Sequence, residues 1–97
     1  DEGDEIAKAL GDKKVAILQN HGILTTGPSV DLALWFYMSM ERCCQAQLMA
    51  EAAGKPISVS HETAVKTREF IANDIAAWAS YQPAFDKIVK MQPDLLD

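Results

Sequence analysis

KKVAILQNHGILTTGPSVDLALWF, Lys13 to Phe36, sets the architecture of the surrounding chain. Val15 to Asn20 begins with four apolar residues and shows no polar alternation, which predicts a strand covered on both faces. Ile23 to Thr26 is β-branched apart from Leu24, and Gly22 between the two runs offers a tight reversal, so the pair reads as a hairpin. His21 then falls at the tip or on the last paired position. After it, Gly27-Pro28-Ser29 ends the second strand, because Pro28 cannot extend a ladder. Ser29 is a fitting helix N-cap, with Asp31 beside the positive end of the helix dipole.

The helix that follows is expected from about Val30 to Ala53, where Gly54 and Pro56 stop it. Leu32, Phe36, Ser39, Cys43, Ala46 and Ala50 repeat at three-four spacing on one side. Leu34, Met38, Glu41, Gln45 and Leu48 repeat on another. Two such sides predict two partners, one of them the sheet and the other a second helix or a neighbouring subunit.

Upstream, DEIAKALGDKK reads as a short helix with Ile6, Ala7 and Leu10 on one face and Gly11 as its stop. Downstream, Ser60 is a suitable N-cap for a helix over about His61 to Ala79, with Ala64, Ile71, Ile75 and Trp78 on one stripe. A last helix is expected over about Pro83 to Met91, before the tail QPDLLD.

The 97 residues carry a formal charge of −5, with 48% hydrophobic and 24% charged residues, a composition suited to a soluble globular domain. Nine basic residues against fourteen acidic ones form no basic stripe, which excludes nucleic acid and anionic membrane as partners. The apolar run Leu32 to Met40 falls far short of the roughly 20 residues a membrane span requires. Cys43 and Cys44 are adjacent, cannot close a disulfide without breaking their helix, and have no companion at zinc-finger spacing. A reducing, cytoplasmic setting is therefore expected. The opening DEGDE carries no initiator methionine or leader, so the chain reads as a segment of a longer one.

Two histidines and one glutamate are the candidate site residues. His21, delivered by an apolar strand to a hairpin end, has the fixed support that a metal ligand needs, and equally the position of a turn residue. His61 reads as a solvent-facing residue in a helix first turn. Glu41, among Leu34, Met38 and Leu48, would need a hydrogen-bonding partner if buried, at a helix or subunit interface or as an acid or base. Trp35 and Phe36 read as core. No glycine-rich phosphate loop, GxSxG or nucleophile-base pair is present.

ALGDKKVAILQNHGILTTGPSVDLALWFYMSMERCCQAQLMAEAAGKP, Ala9 to Pro56, closely resembles the carboxy-terminal half of the class II aldolase/adducin family. The shared pattern is an apolar strand, Asn-His-Gly, a short strand ending in Gly, and a long helix entered through Val-Asp and carrying a mid-helix Glu. The resemblance implies that residues 1–97 are the C-terminal part of a single such domain, with 1–56 as the family-matching core and 57–97 as a helical tail, whose YQPAFDKIV is similar to fungal members. The resemblance implies an α/β fold, a three-layer α/β/α domain around a mostly antiparallel sheet. It also implies three histidines on a divalent metal, usually zinc.

His21 matches the third of those ligands. The other two belong to an upstream His-x-His, and neither that motif, the acid/base carboxylate nor the substrate phosphate loop occurs in these residues. In sugar-phosphate aldolases of the family the metal acts as a Lewis acid and stabilises the enediolate left by C–C cleavage. Two functions follow from the resemblance: a metal-dependent lyase-like enzyme acting on a small hydroxy-carbonyl or sugar-phosphate substrate, or an adducin-like, non-catalytic assembly domain. The retained Asn-His-Gly favours the enzyme. Family members are ring-shaped homo-oligomers, which implies a homotetramer that also contains the upstream half of the domain.

Overall fold

The computed structural model describes residues 1–97, which divide into two compact units, Asp1–Ser58 and Val59–Asp97. In the first unit, α1 (Glu2–Leu10) leads into β1 (Val15–Leu18), β2 (Gly22–Thr25) and α2 (Val30–Ala53). The fold class is α/β, with a two-stranded antiparallel sheet. β1 and β2 pair in the register Val15 with Thr25, Ala16 with Leu24, Ile17 with Ile23, and Leu18 with Gly22.

Local chemistry explains these boundaries. The Ser29 hydroxyl accepts from the Leu32 amide at 3.4 Å and opens α2. Gly54 closes it, donating its N–H to the Ala50 carbonyl. At α1, the Asp4 amide donates to Asp1 Oδ1 at 3.0 Å, and Gly11, at φ 54°, takes the helix out through a conformation that suits glycine.

Strand alternation puts Val15, Ile17, Ile23 and Thr25 on one face, and that face meets α2. Thr25 Oγ1 donates to the Ala33 carbonyl at 2.8 Å. Lys14 Nζ lies 4.6 Å from the centroid of the Phe36 ring, a cation–π contact. Leu32 and Phe36 are the two buried residues of the unit.

The burial expected from the sequence is only partly present. β1 is not covered on both faces: none of its residues is buried, and Ile17 is 67% exposed. A four-residue strand spans about 13 Å, whereas a 24-residue helix runs about 36 Å, so the hairpin covers a fraction of α2. Accordingly Leu34, Tyr37, Leu48 and Met49 are exposed, and on the second side of α2 Met38 alone is half-buried.

The second unit contains α3 (His61–Ile71), α4 (Asp74–Met91) and a closing 3-10 turn, Pro93–Leu96. Ser60 caps α3, accepting from the Thr63 amide at 3.1 Å. The single helix expected over 61–79 is instead broken after Ile71. Asn73 causes the break: its Oδ1 accepts from the Ala76 amide at 2.9 Å, while its Nδ2 donates to the Phe70 carbonyl at 2.9 Å. One side chain thereby caps the start of α4 and satisfies an end of α3.

The expected start of a helix at Pro83 is also corrected, since Pro83 lies inside α4. Its ring removes one amide donor, and the preceding Gln82 side chain donates to the Trp78 carbonyl at 3.2 Å. Ala77 and Tyr81 are the buried residues of this unit, and the Tyr81 and Phe85 rings lie 6.3 Å apart between centroids. With the helix broken, Ile71, Ile75 and Trp78 do not form a buried stripe; all three are exposed. No helix is long and apolar enough to cross a membrane.

Candidate functional site

The hairpin places His21 in a three-residue loop, Gln19–Asn20–His21, between the terminal pair Leu18 and Gly22. Of the two positions open to it from the sequence, His21 therefore occupies the tip. Its N–H donates to the Leu18 carbonyl at 3.1 Å, which closes the turn. Asn20 adopts φ 62°, a left-handed conformation that asparagine tolerates because its short polar side chain can bond locally. Gly22 follows at φ 141°, a value that side-chain-bearing residues rarely adopt. The reversal assigned to Gly22 from the sequence is thus shared with Asn20, and the signal for it was the Asn itself.

The loop is anchored from behind. Four strand pairs hold β1 to β2, and the Thr25–Ala33 hydrogen bond ties β2 to α2. The imidazole of His21 is exposed, so the backbone is fixed while the ring nitrogens remain accessible. Thr25 did not stand out in the sequence; a β-branched residue at a strand end carries no mark of a helix partner.

Glu41 is exposed on α2, as are its neighbours Leu34 and Leu48, and no charged or polar side chain in the chain is buried. The interface partner expected for it would have to come from outside these residues. The helix-stripe reading also overestimates the burial of Cys43, which is exposed while Cys44 is half-buried; both thiols are free. His61 opens α3 in the second unit and is exposed.

A divalent centre of the kind that the resemblance implies needs about three protein donors. His21 fits one such position, as an accessible imidazole on a braced turn. No group of three or more His, Cys, Asp or Glu side chains in the chain is placed to hold an ion. The remaining donors of such a centre would have to come from outside these 97 residues.

Residues 1–48 match the sequence model of the Class II Aldolase and Adducin N-terminal domain. Over 95 residues the chain is 39% identical to the decarboxylase NovR of Streptomyces niveus, covering 98% of this chain and 35% of that protein. It is 37% identical, also over 95 residues, to the 4-hydroxy-3-prenylphenylpyruvate oxygenase/4-hydroxy-3-prenylbenzoate synthase of Streptomyces roseochromogenus subsp. oscitans, covering 98% of this chain and 34% of that one. The chain therefore spans about a third of the length of these curated relatives. The solved structure of L-fuculose 1-phosphate aldolase from Glaciozyma antarctica PI12 superimposes with a TM-score of 0.91 at 38% identity, over 97% of this chain and 38% of that one. On the family match, the relatives and the shared fold together, the chain belongs to the class II aldolase and adducin family.

Proposed function

We propose that this chain supplies one ligand to the active site of a metal-dependent class II aldolase-like enzyme. His21 is one of three metal-binding histidines, and the ion is Zn2+ or another divalent metal. The observation that carries this reading is the exposed imidazole at the tip of a hairpin that is closed by the His21–Leu18 hydrogen bond and braced on α2. A ligating imidazole must offer a neutral nitrogen lone pair in a fixed direction, and a braced turn limits the directions open to it. A divalent ion held there would act as a Lewis acid toward a substrate carbonyl. Exposed on α2, Glu41 has no role in the proposal.

The chemistry proposed is cleavage of a C–C bond in a small hydroxy-carbonyl or sugar-phosphate substrate. Two similar proteins support C–C cleavage by name, an aldolase of a sugar phosphate and a decarboxylase. Exposed Leu34, Tyr37, Leu48 and Met49 support packing of α2 against the remainder of the domain and against further subunits in a homotetramer. The test is made on the complete protein. Metal analysis after gel filtration should find about one divalent ion per subunit, and a panel of hydroxy-carbonyl and phosphorylated sugar substrates should yield carbonyl fragments. A metal-free protein that cleaves none of the panel would overturn the reading.

A further inference from the structure

Away from His21, an apolar pocket of about 490 Å³ lies against α2, lined by Ile17, Met40, Cys43, Cys44, Gln47 and Leu48. Three of its six lining residues carry sulfur. Met40, Cys43 and Cys44 stand at i, i+3 and i+4 on one helix, so Met40 neighbours each cysteine across a single turn. Both thiols are free, and as sequence neighbours in an intact helix they cannot pair with each other. Cys43 is exposed, and Met40 and Cys44 are half-buried.

The donor set decides the ligand. Gln47 alone brings a side-chain oxygen to the pocket, too little for a hard cation, which takes six or more oxygens. Thiolate and thioether sulfurs select a soft ion, and apolar walls suit one that is satisfied by two or three sulfurs. We propose that Met40, Cys43 and Cys44 form a soft-metal site, separate from His21, that takes a monovalent thiophilic cation of the Cu(I) class. On binding, two S–H bonds break and two Cu–thiolate bonds form, and the neutral Met40 thioether donates a lone pair as the third sulfur. The two protons pass to solvent, and copper supplied as Cu(I) keeps its oxidation state.

The experiment titrates the reduced, complete protein with Cu(I) under nitrogen against a chromophoric Cu(I) chelator, with X-ray absorption to identify the ligating atoms. One equivalent of copper should resist the chelator and show sulfur scattering. The double variant C43S/C44S, nearly isosteric and checked for folding by circular dichroism, should lose that equivalent. Met40→Leu should hold it roughly tenfold more weakly, and His21→Ala should keep it. The wild-type titration decides by itself should the double variant misfold. A wild-type protein stripped of all copper by the chelator would overturn the proposal, as would copper retained by the folded double variant or nitrogen scattering that disappears with His21→Ala.

Discussion

The Thr25 hydroxyl donates to the Ala33 carbonyl at 2.8 Å, tying the end of β2 to the first turn of α2. Because this bond lies behind the loop that carries His21, removing it should loosen the hairpin. Thr25→Val keeps the side-chain shape and deletes the donor, and should cost about 1 kcal/mol. Urea unfolding would read the loss, and hydrogen exchange should quicken at the amides of the β1–β2 ladder. Unchanged stability together with unchanged exchange would show that the strand pairing and Phe36 suffice to hold the hairpin.

Gly27 carries a steric prediction. A Cβ placed there would lie 3.0 Å from the Ala33 amide nitrogen and 3.1 Å from Leu32 Cβ, both set by the backbone of α2. Gly27→Ala must therefore shift the loop or the helix start, at a cost of about 1–3 kcal/mol. Thermal unfolding checks this, and a melting temperature equal to that of the unmodified protein would show that the loop yields freely.

Asn73 joins two helices through one side chain, accepting from Ala76 and donating to Phe70. Asn73→Ala should cost about 1 kcal/mol and speed exchange at the first amides of α4. Asn73→Asp should retain the cap to Ala76 and lose the amide's bonds to the Glu69 and Phe70 carbonyls, so its cost should be the smaller. Equal losses in the two variants would assign the effect to the α3 end rather than to the cap.

What could be read from the sequence was what local chemistry decides. Ser29 and Gly54 bracket α2, and the structure places it at Val30–Ala53 as expected. The β-hairpin likewise follows from two β-prone runs around Asn-His-Gly. What failed depends on distant neighbours. Cys43 shares a stripe with Phe36 and yet is exposed, because a stripe is buried only where another element reaches it, and the four-residue strands end too soon. The break at Asn73 was missed for a different reason: the apolar period continues across it, and only the capping capacity of asparagine marks the boundary. At the candidate site the position of His21 was legible, whereas its partners were not, because no three-donor group forms within the chain.

Assembly is open to direct measurement. The exposed apolar residues of α2 lead to the expectation that the complete protein is a homotetramer at micromolar concentration. Light scattering coupled to gel filtration would give the subunit number. Leu48→Glu, on an exposed position, should shift the distribution toward smaller species without unfolding the subunit; a monomer in the unmodified protein would contradict the expectation.

The most direct test of the central claim is the metal content of the complete protein after His21→Ala. The imidazole is exposed and carries no packing, so the variant should fold and keep its far-ultraviolet circular dichroism. If His21 is a ligand, the divalent metal that the unmodified protein retains through gel filtration should fall from about one equivalent per subunit to near zero, and any C–C cleavage should go with it. Retention of a full equivalent by the folded variant would contradict the account and leave His21 as a turn residue only.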